Sequence, residues 1–223
     1  MSDVLIGTYG WEHRQWHGGF YPEELPEDWR FCFYSNRLRA VLVPAVWTQA
    51  ADAAAVQQWH DDSDDAFRFI WEVSATAAAD IAPLLQTLAP LAARSAGILW
   101  RPPAAALVTP AMEPALMQLS AFAPVSIDLP PPAAATDNAV AAMLARYDAG
   151  VCWQVSREPL PRAGGRLSLA LMEHGDPRAL RRALETLATS TRADAAAALF
   201  FTDPARSASL AEQARVLAEL MGV

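Results

Sequence analysis

The stretch IGTYGWEHRQWHGGFYP, residues 6–22, decides how the rest of the chain is read. It holds four Gly, two Trp, two His and two Tyr, and a Pro closes it. It begins inside VLIGTY (4–9), an apolar run that reads as a buried strand. Such a strand running into glycines and bulky rings is either a site at the strand's end or a plug over it. The organisation of the remaining residues bears on that choice.

Strand-like and helix-like segments alternate from here to the last residue. PEDWRFCFYSNRL (26–38) reads as a helix with Pro and acidic residues in its first turn. AVLVPAVW (40–47) is the next strand-like run, and TQAADAAAVQQWHDD (48–62) a helix with Thr48 as candidate cap. FRFIWEV (67–73), GILW (97–100), PVSIDL (124–129), GVCWQVS (150–156), RLSLALME (166–173) and AAALFFT (196–202) continue the strands. Helices fall between them at 76–95, where Pro83 and Pro90 mark a kink or break, and over roughly 110–121. A third spans 136–150, capped by Thr136 or Asp137 and ended by Gly150. Another opens on Asp176 and Pro177 and runs to 189, and the last spans roughly 206–221.

Eight strands in this alternation predict a lean (β/α)8, TIM-barrel-like fold. REPLPRAGG (157–165) is too short and too rich in Pro and Gly for a full helix, so the helix after strand six is shortened or missing. An open doubly wound sheet is the alternative. PPPAAA (130–135) reads as a βα loop rather than a linker, which leaves one domain over residues 1–223.

The composition narrows the function classes. Apolar residues make up 53% of the chain, enough for a sizeable core, and disorder is not expected. A net charge of -8 with no Lys argues against nucleic acid, which needs clustered positive charge. Cys32 and Cys152 fit no ligand or redox spacing and read as buried free thiols. No signal peptide is expected, and Pro, Asp or Arg interrupts every apolar stretch before roughly 18 residues, so no membrane span is expected either. The cytoplasm is the default location.

In barrel enzymes the active site forms at the C-terminal ends of the strands. Those ends gather Thr8, Trp11, Trp47, Glu72, Ser74, Trp100, Arg101, Asp128, Gln154, Ser156, Glu173, His174, Thr202 and Asp203. In a catalytic reading Glu72 or Asp128 is the general base, His174 the acid, and Arg101 the fork that anchors an anion. In the plainer reading Arg101 pairs with a neighbouring acid and His174 caps the helix near Asp176. For ligand binding the expected residues are Thr8, Trp11, Trp47, Trp100, Arg101 and Asp203, with flat indole rings lining a pocket. A metal set of His13, Glu72, Asp128 and His174 has no supporting spacing, so no metal and no cofactor are expected. DDSDD (61–65) lacks the central Gly and distal Glu of a calcium loop and reads as a solvated turn.

Gly7, Thr8, Gly10, Trp11, Trp16, Phe20, Tyr21 and Pro22 stand in the order of a known pattern. In it a strand ends Gly-Thr-Ser-Gly-Trp and is followed by a Trp and then Phe-Tyr-Pro. On these residues the chain resembles the YecE-like family, domain of unknown function 72. Trp29, Trp47, Trp59, Phe67, Phe69, Pro102, Pro103, His174, Gly175 and FFTD (200–203) extend the likeness along the chain. The resemblance implies a (β/α)8-type barrel but no defined reaction. Against the family pattern, Glu72 stands in place of a Lys. AVLVPAVW (40–47) lacks the family's Glu, Asn and Thr, and the Arg before His-Gly is gone. Two functions are therefore expected as alternatives. One is a diverged, non-catalytic member that binds a small molecule or a protein partner through an aromatic-rich mouth. The other is a hydrolase-like or isomerase-like enzyme working through Glu72, Asp128 and His174.

Overall fold

Strand β1 (Leu5–Tyr9) lies between β2 (Ala40–Val43) and β9 (Ala196–Phe201), parallel to both. The computed structural model describes residues 4–74, 81–102, 112–129, 138–156 and 164–223. The sheet continues through β3 (Arg68–Ser74), β4 (Ser95–Arg101), β5 (Val125–Ile127) and β6 (Gly150–Val151). On the other side of β1 it runs through β9 and β8 (Leu167–Met172) to β7 (Trp153–Gln154). β6 pairs with β5 and β7 pairs with β8, so these two short pieces, joined through Cys152, occupy the place of one strand. The result is a nearly closed barrel of 9 parallel strands flanked by helices, a TIM-barrel-like fold.

The helices are α1 (Arg30–Arg37), α2 (Ala45–Ala50), α3 (Ala53–Asp61), α4 (Ile81–Leu88), α5 (Met112–Phe122), α6 (Asn138–Arg146), α7 (Pro177–Ser190) and α8 (Ser207–Met221). Asp176 caps α7 as its sequence predicts, accepting from Ala179 N at 2.7 Å. Three expectations are corrected. The second strand stops at Val43 rather than 47, because Pro44 has no N–H for the ladder and sits as the residue before α2. Thr48 is then no cap: it lies inside α2 with its hydroxyl donating back to Pro44 O at 3.1 Å, and Asp52 caps α3 instead. Gly150 does not end α6 but starts β6, while Asp148 takes the left-handed turn at φ 48°. The region of the shortened helix (157–163), the loop at 130–135 and the caps Thr136 and Asp137 lie outside the described residues.

Strand alternation divides the apolar side chains into two cores. Ala40, Leu42, Ile70, Leu99, Leu167, Leu169, Leu171 and Phe200 fill the barrel. Val41, Val43, Phe69, Trp71, Trp100 and Leu199 face the helices. β2 reads AVLV with no polar residue because both its faces are buried.

Two glycines of the opening stretch have separate tasks. Gly7 is mid-strand, and a Cβ there would stand 2.0 Å from the carbonyl oxygen of Ala40 and 3.0 Å from the Phe200 ring. It is required by the closeness of β1 to β2, not by a turn. Gly10 makes the turn, at φ +73°. Gly7→Ala is therefore expected to cost about 3 kcal/mol or more, since a backbone oxygen cannot step aside. Gly10→Ala should cost about 1–2 kcal/mol for the left-handed backbone. Urea unfolding midpoints of the two variants check this order.

Candidate functional site

One step beyond the apolar filling, the inward positions of neighbouring strands turn polar. Tyr9 follows Gly7 on β1, Glu72 follows Ile70 on β3 and Arg101 follows Leu99 on β4. Asp128 follows Ser126 and Gln154 follows Cys152 in the same two-residue step. Period-two alternation brings all five to the C-terminal end of the barrel.

Glu72 is the centre of this layer, with only 3% of its side chain exposed. Its Oε2 accepts from the Tyr9 hydroxyl at 2.6 Å and from Ala45 N, the first amide of α2, at 2.8 Å. Its Oε1 lies 2.8 Å from Arg101 Nη1. Arg101 Nε in turn stands 3.1 Å from Asp128 Oδ2, an ion pair without an in-line hydrogen bond. Gln154 Nε2 donates to Asp128 Oδ1 at 3.5 Å. Burial, then the hydrogen bond to the Glu72 carboxylate, pushes the Tyr9 hydroxyl well above its ordinary pKa. Cys152, beneath Gln154, is buried and its thiol is likewise pushed up, chiefly by burial and then by Asp128.

His174 is elsewhere. Its Nε2 lies 3.4 Å from Glu173 Oε1 and its Nδ1 3.6 Å from Asp203 Oδ2, beyond the end of β8. Between β3 and β8 stand β2, β1 and β9 one way round and β4, β5 and the split β6 and β7 the other. Glu72 and His174 thus sit on opposite walls. Asp203 also accepts from Ala205 N at 2.8 Å and starts the turn into α8.

The other expected residues separate by strand parity. Thr8 points away from the barrel axis; it is fully buried, donating to Gly10 O at 2.6 Å and lying 2.9 Å from the Tyr34 hydroxyl. Trp100 also faces the helices and is fully buried. Trp11 and Trp47 meet each other on the flank, ring centroids 4.7 Å apart. His13 Nε2 is 2.8 Å from Tyr9 O. Among the described residues no three His, Cys, Asp or Glu side chains form a group that could hold a metal ion. DDSDD is a turn tied down by Arg94, which is buried and bonds His60 O, Ser63 O and Asp65 Oδ1. Tyr9 was not among the expected site residues, although it shares the parity of Gly7 and Leu5.

The fold and this layer define a class: parallel β/α barrels with a charged cluster at the C-terminal mouth. The family model described as protein of unknown function DUF72 matches residues 5–223. The chain belongs to that family. A DUF72 family protein from Thermotoga maritima has a similar crystal structure, with TM-score 0.69 and 14% identity over 97% of this chain and 99% of that one. A DUF72 family protein from Enterococcus faecalis is also similar, with TM-score 0.72 and 13% identity over 100% of this chain and 99% of that one. At these identities the likeness shows the fold alone. No curated protein matches the chain. Among the described residues no helix is long and apolar enough to cross a membrane.

Removing the guanidinium would leave a carboxylate buried and half-answered. Arg101→Met should destabilise the protein by about 2–4 kcal/mol in urea unfolding, less than a fully buried pair because Arg101 is partly exposed. Glu72→Gln combined with Arg101→Met should recover part of that loss.

Burial likewise raises Tyr21 and Tyr34 above the ordinary phenol value. With Tyr9, these phenols keep their protons in the folded chain where the unfolded chain loses them. Their stability is complete below about pH 10 and falls as pH climbs above it. Tyrosinate absorbance at these positions is expected to rise with alkaline unfolding, not ahead of it.

Proposed function

We propose that this protein is a non-catalytic, ligand-binding member of its family, with the charged layer at the barrel mouth as its binding surface. The observation that carries the reading is the engagement of Glu72 by three donors in a buried position. A general base needs a free lone pair within hydrogen-bond reach of substrate. Glu72 has both oxygens engaged and only 3% of its side chain exposed, which keeps a substrate from reaching it, and His174, its expected acid partner, lies beside Glu173 and Asp203 on the far wall.

Four members of the layer are partly exposed, Tyr9, Gln154, Arg101 and Asp128, and the charged ones are Arg101, 42% exposed, and Asp128, 23% exposed. One offers donors and the other acceptors, side by side. Two carboxylates against one guanidinium disfavour an anion, so the fitting ligand is small, uncharged and rich in hydroxyl or amide groups. Such groups can accept from Arg101 and donate to Asp128 at once.

A panel of polyols, sugars and small amides, screened by thermal shift, tests the reading. A binding compound should raise the melting temperature of the wild type. Its affinity should fall about tenfold in Asp128→Ala, the effect of one charge-assisted hydrogen bond. A panel without any binder would overturn the mouth as a binding surface. Turnover of a panel compound that is lost in Glu72→Gln would overturn the non-catalytic reading.

A further inference from the structure

Outside the barrel, the strand-one turn, the start of α1 and the pair α2 and α3 line a recess. It measures about 400 Å³, within the range of small-molecule sites. Trp11 and Phe31 form its buried floor, their centroids 4.6 Å apart. Trp47 and Trp59 are the half-buried walls, at 4.7 Å and 5.5 Å from Trp11, with Trp59 edge-on to it. The rings pack directly on one another, and the uncovered parts of Trp47 and Trp59 give the recess its aromatic lining.

The rim has one sign of charge. Glu12, Glu27 and Asp28 line it, and no Arg or His does so among the described residues. Of the three, Glu27 has a basic partner, Arg30 Nη2 at 3.0 Å. The remaining lining is Ala methyl groups and Gln58. Ring faces carry negative quadrupole potential and attract cations, and desolvated cases are the stronger ones. A primary ammonium would have to give up hydrogen bonds to water and would find few acceptors inside. A fully alkylated ammonium has none to give up.

We propose that this flank cleft binds a free, small quaternary ammonium compound, its alkylated head against Trp11, Trp47 and Trp59 and its charge answered by Glu27 and Asp28. The same head group on a phospholipid carries a phosphate, which the rim carboxylates would repel, so the free cation is the fitting source. The assignment is independent of the barrel mouth.

The test is tryptophan fluorescence and calorimetric titration with choline and tetramethylammonium. Saturable binding is expected, about tenfold weaker for the neutral isostere of choline in which a tert-butyl group replaces the trimethylammonium. Ethanolamine should also bind more weakly. Trp47→Ala should weaken choline binding about tenfold. Glu27→Gln with Asp28→Asn, both exposed and outside the core, should weaken it as well and serves where Trp47→Ala fails to fold. Phosphatidylcholine vesicles should not compete, and Arg101→Met should leave choline affinity unchanged. Equal binding of the neutral isostere, unchanged affinity in the double variant, or no saturation up to tens of millimolar would each overturn the proposal. Competition by vesicles as strong as that by choline would overturn the free cation as the ligand.

Discussion

A carboxylate held almost out of water at the end of a nearly closed barrel is the constraint around which the mouth is arranged. An ionised group in such a place costs several kcal/mol unless its surroundings restore what water supplied. For Glu72 the restoration comes from three elements at once: the Tyr9 hydroxyl on β1, the first amide of α2, and the guanidinium of Arg101 on β4. Each donor reaches it from a separate segment, so the carboxylate ties the start of α2 to β1 and β4. Arg101, partly open to water, also stands beside Asp128 just past the end of β5, so the cluster holds two carboxylates to one guanidinium. The charge pattern spreads from one buried group.

This layer explains why Pro44 stands where it does. A strand continuing past Val43 would carry its amides into the β3 ladder. With Pro44 the chain leaves the sheet, and the next free amide, that of Ala45, turns toward Glu72. The short helix α2 sets Trp47 against Trp11, and Gly10, whose φ is +73°, leaves room for it: a Cβ there would come within 3.0 Å of the Trp47 ring. One bend of the chain thus places a donor at the mouth and an indole on the flank.

Much of the barrel was legible in the sequence because alternation of β and α segments survives any uncertainty about their ends. The apolar run VLIGTY, the Asp-Pro entry at 176 and 177, and the all-apolar AVLV each follow from rules that depend on local pattern. The site was less legible. Nearness to a strand's end says that a residue is at the mouth, but only parity says whether it faces the axis or the helices. Trp100 and Arg101 are adjacent in sequence and point to opposite sides of the strand, one toward the helices and the other into the mouth. Tyr9 could have been found by counting in twos from Leu5 through Gly7. The pairing of His174 with Asp203 could not, because it depends on the turn after β9 rather than on any strand.

The opening stretch resolves into both of the things it could have been. Trp16 and Tyr21 are buried and pack around Tyr34, whose hydroxyl donates to Ala40 O and receives the amide of Thr8. That half is a plug, fastening α1 to the first two strands. Trp11 belongs to the other half, since its ring is the floor of a recess open to solvent. Packing alone would close such a floor with an aliphatic side chain as readily as with an indole. Three indoles and a phenyl line one space, under carboxylates and without a lining cation among the described residues, and the uncovered parts of the half-buried Trp47 and Trp59 add the negative potential of their rings to that of the rim. The surplus is electrostatic, and a cation is what answers it.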